Sequence, residues 1–207
     1  MSLITFDETD FDVFTIPGLE ARMAAIVGQI RPKLTWLGDQ LKPGLSLLCG
    51  QEMHPHVAKH ARRTVNPPND TWVAWAHHKR GYKAHPHFQV GLWSTHLFIQ
   101  FAVIYECGHK EQFAGQLRQQ LDRIRQHIPG HYFWSDDHTK PDTVPHVQMK
   151  PEDFASLIRK LETTKKAEVL CGLRIDRHDP ILSQSEALIQ TIEETFHTLL
   201  PLYRMAF

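Results

Sequence analysis

The strongest constraint on how this chain folds lies between residues 87 and 105. From His87 to Trp93, apolar and polar residues alternate, so Phe88, Val90 and Leu92 point to one side and His87, Gln89, Gly91 and Trp93 to the other. A tight turn near Ser94 folds the next apolar run back antiparallel, and one face of that second strand shows His96, Phe98 and Gln100. The pair therefore predicts a sheet with one core face and one mixed polar and aromatic face. Short runs rich in Trp, Val and Phe begin already at Met53, separated by Asn66-Pro67-Pro68-Asn69-Asp70 and Lys79-Arg80-Gly81, and these read as further strands and turns.

Elsewhere the period changes to that of helices. Leu19, Met23, Ile26, Val27, Ile30, Leu34, Leu37 and Leu41 recur at three and four, with Pro32 expected to break the helix in two. Phe113, Leu117, Leu121, Ile124 and Ile128 mark a later helical segment ending at Pro129-Gly130, and Pro151 opens another through Phe154, Leu157, Ile158 and Leu161. Residues 167–175 read as a strand, and Ser183 with Glu186 predicts a capping box ahead of a closing helix. Runs of strands followed by helices, rather than strict alternation, give an α+β class: one domain over residues 1–207, with an antiparallel or mixed sheet and helices packed on it.

The 23 basic and 23 acidic residues balance, but their placement does not. Residues 53–96 carry Lys59, Arg62, Arg63, Lys79, Arg80 and Lys83 against Asp70 alone, together with eight of the 15 histidines. Residues 1–12 are acidic and lack the basic start and apolar core of a signal peptide, which predicts a cytoplasmic protein. The longest apolar run, broken by Gln100, is far short of the ~20 residues a membrane helix needs, so no membrane partner is expected.

Three cysteines at wide spacing, none in a CxxC pair, predict neither a disulfide framework nor a four-sulfur zinc site. His56 and His60 share a face whether the segment is helical or extended, but in a strand they stand roughly 13 Å apart, too far to chelate. No HExxH or GxSxG string occurs, and no metal or other cofactor is expected. Trp72 and Trp75, three apart on a strand, point to opposite faces, so at least one belongs to the core.

Several long strings resemble one family nearly end to end: His56-Val57-Ala58-Lys59-His60-Ala61-Arg62-Arg63, Val65-Asn66-Pro67-Pro68, Asp70-Thr71-Trp72-Val73-Ala74, Lys79-Arg80-Gly81-Tyr82-Lys83, Pro86-His87-Phe88-Gln89, Phe101-Ala102-Val103-Ile104-Tyr105-Glu106 and Asp137-His138-Thr139-Lys140-Pro141. They are similar to the YktB-like family of uncharacterised proteins from bacilli and their relatives. The resemblance implies a soluble, single-domain α+β protein from a Gram-positive bacterium, with no established activity. His54, His77, His78 and His85 stand outside the family pattern.

The leading functional expectation is a non-catalytic binding domain in which Arg62, Arg63, Asn66, Arg80, Tyr82, Lys83, His87 and Trp93 receive an anionic partner, either a phosphate-bearing small molecule or a short nucleic-acid segment. Guanidinium forks and flat rings are the parts that hold phosphates and stack bases or sugars. A near-neutral isoelectric point of about 7.3 argues against a dedicated binder of long duplex DNA. The first alternative is a hydrolase with His56, His60, His87 or His138 as base and Asp137 as its orienting acid. The second is a structural subunit that buries its exposed aromatics in a partner.

Overall fold

A computed structural model describes residues 4–207; residues 1–3, the start of the acidic stretch, lie outside them. The period-two runs form seven strands: β1 (His54–Val57), β2 (Asp70–Ala76), β3 (His87–Trp93), β4 (His96–Val103), β5 (Phe133–Ser135), β6 (Val144–Pro145) and β7 (Val169–Asp176). They make one sheet in the order β1-β2-β3-β4-β7-β5-β6, and every neighbouring pair is antiparallel. The α+β class holds, with a wholly antiparallel sheet. Three consecutive hairpins build its first half, while β7 arrives late in the chain to seal β4 before β5 and β6 extend the far edge.

The helices are α1 (Glu8–Asp12), α2 (Leu19–Ala25), α3 (Arg31–Cys49), α4 (Lys110–Gln119), α5 (Leu121–His127), α6 (Pro151–Thr163) and α7 (Ser185–Arg204). On the core face of the sheet, Val73, Trp75, Phe88, Val90, Leu92, Leu97, Ile99, Phe101, Val169 and Cys171 are sealed from solvent. The apolar stripes of α3, α4, α6 and α7 join them in one cluster. Phe196 of α7 packs against Trp75 and Phe88 at 5.6 and 4.9 Å between ring centres, and Phe113 of α4 lies 5.7 Å from Phe101. The Trp75 indole N–H donates to the Gly38 carbonyl of α3 at 3.0 Å, so even this core ring leaves no donor unpaired.

Three local expectations are corrected. Pro32 does not break the first long helix, because a π-helical turn at Ile26–Ile30 widens the backbone just ahead of it and α3 continues from Arg31. The wider turn accommodates the missing N–H and the pyrrolidine ring that would clash in a regular α-turn. Ser183 does not form a capping box: its hydroxyl donates to the Pro180 carbonyl at 2.8 Å, inside a short 3-10 turn that ends before α7 begins. The helix read through residues 113–128 is two helices, interrupted at Gln120.

The second face of the sheet is built by the alternate residues: Asp70 and Trp72 of β2, Gln89, Gly91 and Trp93 of β3, His96, Phe98 and Gln100 of β4, and Gly172 and Arg174 of β7. Two glycines let it lie flat. A Cβ at Gly91 would strike the Phe98 ring and stand 2.5 Å from the Thr71 carbonyl oxygen, and one at Gly172 would meet the Ile99 carbonyl and stand 2.7 Å from the Gln100 Cα.

Candidate functional site

A small, partly open cavity lies on this second face, floored by Gln89, Phe98 and Gln100 and roofed by the loop of residues 136–143. Local sequence shapes that roof. The Asp137 carboxylate accepts from the Thr139 N–H at 2.9 Å and from its hydroxyl at 2.6 Å, a turn in which a short acidic side chain substitutes for backbone. This turn brings His138 onto Glu168, the residue just ahead of β7. The His138 Nδ1–H donates to Glu168 Oε2 at 2.7 Å, and the same oxygen accepts the His138 backbone N–H at 3.0 Å. The other Glu168 oxygen accepts from the Tyr105 N–H at 3.3 Å.

Three electrostatic features meet here. Burial by itself lowers the basicity of the His138 imidazole, but the hydrogen bond and charge of Glu168, helped by Asp70, outweigh it and raise the pKa above the ordinary histidine value. The Asp70 carboxyl, only 9% exposed, is pushed up to about 7 by burial, with Arg63 and His138 partly opposing the rise. Near neutral pH, Asp70 is therefore divided between its acid and anion forms. Arg174 is half-buried with its guanidinium 5.5 Å from the centre of the Phe133 ring. Its Nε is buried without a hydrogen-bond partner, and among the described residues no carboxylate lies within ion-pair distance of it.

The floor is a polarised chain of hydrogen bonds. Gln100 Nε2 donates to Gln89 Oε1 at 2.6 Å, Gln89 Nε2 donates to His87 Nε2 at 3.0 Å, and His87 Nδ1–H donates to the His85 carbonyl at 2.7 Å. His87 is thereby a neutral imidazole with both nitrogens occupied. Full burial, the larger cause, pulls its pKa down to about 4. It stands as a wall of the sheet, with no nitrogen left for a ligand or a base's work.

The remaining residues proposed from sequence fall into two groups. Trp93 lines the cavity, while Tyr82 accepts from the Trp72 indole N–H at 3.0 Å and packs on His87 at 4.8 Å, one layer behind. Arg62, Arg63, Asn66 and Arg80 are exposed on the loops of residues 58–69 and 77–86, and exposed Lys83 pairs with Glu106 at 3.2 Å. His56 donates to the His78 carbonyl at 3.0 Å, whereas the His60 ring stands 3.1 Å from Thr71 Oγ1 and, chiefly through burial, titrates near 4. These two do not converge. His138 and Asp137 both line the cavity, but the group that orients His138 is Glu168, not Asp137, whose second oxygen pairs with Lys140 at 3.2 Å.

Sequence reasoning did not single out Glu168, Arg174, Gln89 or Gln100 as site residues. A signal for Arg174 existed, a lone charge in the otherwise apolar string of residues 169–175; Glu168 offered none, being 30 positions from His138 in the chain.

One oxygen or nitrogen each of Asp137, His138 and Glu168 lie within 4.8 Å of one another, the spacing of a metal site. Asp137 and Glu168 are already engaged by Thr139, Lys140, His138 and Tyr105, so within the trio the His138 Nε2 is the ring nitrogen left open. A larger cleft lies between the β5–β6 edge and α6, but its charged lining, Asp136, Asp142, Asp153 and Lys160, is exposed and includes an ion pair at 2.9 Å.

The family described as a domain of unknown function, DUF1054, matches residues 6–203. The chain belongs to the DUF1054 family. It is 50% identical to a UPF0637 protein of Bacillus velezensis over 205 residues, covering 99% of this chain and 98% of that one. Relatives from Bacillus licheniformis and Bacillus cytotoxicus are 48% and 49% identical, each over 99% of this chain and over 97% and 99% of their own. This agrees with the YktB-like resemblance, and none of these DUF1054 names carries an activity. Among the described residues no helix is long and apolar enough to cross a membrane.

Proposed function

We propose that the second face of the DUF1054 sheet binds a small anionic ligand, one phosphate or carboxylate group carried on a flat ring or sugar, in the cavity under residues 136–143. The observation that carries this reading is Arg174. A guanidinium is always charged and brings five donors; a buried donor without an acceptor costs about 1–3 kcal/mol. An anion seated against Arg174 would remove that cost, with Asp70 in its acid form donating to a ligand oxygen and Lys140 at the rim adding charge. Trp72, Trp93 and Phe98 offer flat apolar walls. The exposed Arg62, Arg63 and Arg80 would add charge for a longer anion such as a short nucleic-acid segment.

Titration calorimetry with inorganic phosphate and a panel of phosphate monoesters tests this. Binding should weaken as salt rises and be lost in Arg174→Ala while surviving in Arg80→Ala. Equal affinity in wild type and Arg174→Ala would overturn it.

The 2.7 Å contact between His138 and Glu168 favours a second reading, a hydrolase. There His138, oriented through Nδ1 by Glu168, would move a proton with its free Nε2 on a substrate held by Arg174. A pH-dependent turnover of the same monoesters that vanishes in His138→Ala would decide for it over binding alone.

A further inference from the structure

A second concentration of chemistry lies outside the cavity. His77 and His78 follow the last residue of β2, His85 sits on the loop that returns to β3, and His109 immediately precedes α4. The His85 ring is the hub. Its centre lies 4.6 Å from that of His77, edge to face, 4.8 Å from that of His78, stacked at 23°, and 6.4 Å from that of His109. Phe207 closes one side, 5.3 Å from His77 and 5.4 Å from His109. Among the described residues, none of these four imidazoles pairs with a carboxylate.

We propose that His77, His78 and His85, with His109 in reach as a fourth ligand, form a binding site for a divalent transition-metal ion, zinc first among them. Two imidazoles sharing a tetrahedral ion at 2.0–2.1 Å have ring centres about 5 Å apart, and the His85 ring already stands at 4.6 and 4.8 Å from its two neighbours. The Nδ1 atoms of His77 and His85 are buried without any hydrogen-bond partner, which leaves two lone-pair or N–H positions unaccounted for within one cluster. An ion would satisfy nitrogens to which the protein itself offers no partner.

The donor set selects the ion. All-imidazole coordination suits zinc, nickel and copper and gives calcium or magnesium nothing hard to bind. Burial, reinforced by the neighbouring imidazoles, lowers the pKa of both His77 and His85, so protons compete weakly for these nitrogens at neutral pH. The nitrogens do not yet meet at one point: the trio whose ligand atoms already lie mutually within 4.8 Å is Asp137, His138 and Glu168. A turn of the imidazoles about the Cβ–Cγ bond, a broad two-fold torsion, is the adjustment required. The site is independent of the anion cavity, and either can fail alone.

Tag-free protein, stripped with chelator and dialysed, is titrated with zinc chloride alone and the bound metal counted by mass spectrometry. One equivalent is expected, with affinity falling by at least about tenfold, the least that loss of a metal-site residue brings, in His85→Ala and in the double variant His77→Ala/His78→Ala. The controls His138→Ala and Glu168→Gln should bind as wild type does. No stoichiometric zinc, or undiminished binding in His85→Ala, overturns the proposal, as does binding lost in the controls, which would move the ion to the loop of residues 136–143. Should His85→Ala unfold, imidazole nitrogen resonances of wild type decide: those of His77 and His85 must shift on adding zinc, and unmoved resonances refute the site.

Discussion

The buried acid at the cavity gives a measurable penalty. In the unfolded chain Asp70 has an ordinary carboxyl, near 3.8, while burial in the fold pushes it to about 7. Each tenfold step in proton affinity is worth about 1.4 kcal/mol, so the rise corresponds to roughly 4 kcal/mol at most. The folded chain holds this proton more tightly than the unfolded one between those two values. Wild-type stability contributed by this group therefore falls as pH rises from about 4 to about 7 and levels off above. Asp70→Asn keeps the shape and removes the titration. Urea unfolding of both proteins at a series of pH values from about 5 to 8 isolates Asp70 together with the His138 imidazole it acts on, because groups that do not sense Asp70 cancel. The variant should gain on wild type by about 3 kcal/mol across that range, all of it below about pH 7. A difference that stays flat with pH would mean that Asp70 titrates as an exposed carboxyl, and the argument from burial would be wrong.

Further perturbations address the neighbours of that acid. Glu168→Gln removes the charge and leaves burial to dominate, so the His138 pKa should fall from above to below the ordinary histidine value, as followed by its imidazole proton shifts; an unchanged titration would refute Glu168 as the orienting group. The same change should remove stability that wild type shows below the ordinary histidine pKa and loses as pH rises through the raised folded one. Gly91→Ala places a methyl 2.5 Å from the Thr71 carbonyl and 2.6 Å from the Trp72 Cβ. It should destabilise by about 1–3 kcal/mol in thermal unfolding, with any phosphate binding weakened as Trp72 and Phe98 are forced apart.

The parts legible in sequence are those that a short-range period encodes. The β3–β4 hairpin could be read outright, including which face carries Gln89, His96, Phe98 and Gln100, because alternation over seven and eight residues leaves one register that buries Phe88, Val90, Leu92 and their partners. Trp72 and Trp75 were separable for the same reason. Pro32 misled because a π-turn is a backbone compensation that no residue type announces, and Ser183 because a 3-10 turn took its hydroxyl first. The site itself is long-range. A count of basic residues along residues 53–96 gathers Arg62, Arg63 and Arg80, which stand on exposed loops, and omits Arg174, which reaches the cavity only because β7 pairs with β4 and sets it opposite Phe98. Charge density in sequence and charge density in space differ wherever a sheet is assembled from distant strands.

Asp70 and Arg174 make the strongest case that this cavity is more than packing. They line the same space with opposite charges, and a self-contained fold would set them against each other, so that the carboxyl would titrate low and the guanidinium would be satisfied. Instead the carboxyl is raised to about 7, with Arg63 and His138 as its charged neighbours, and the guanidinium keeps a buried nitrogen without an acceptor. Each group carries its own cost, and filling either position with an apolar side chain would relieve it. Both costs fall together if a third party stands between them, offering anionic oxygens to Arg174 and accepting the Asp70 proton with another. On that reasoning Arg174→Ala should leave the ligand-free protein as stable as wild type or up to about 1 kcal/mol more so, while abolishing stabilisation by phosphate compounds. A marked loss of stability without ligand would show instead that Arg174 already has a partner within the fold, and the case for an anion at this place would fall with it.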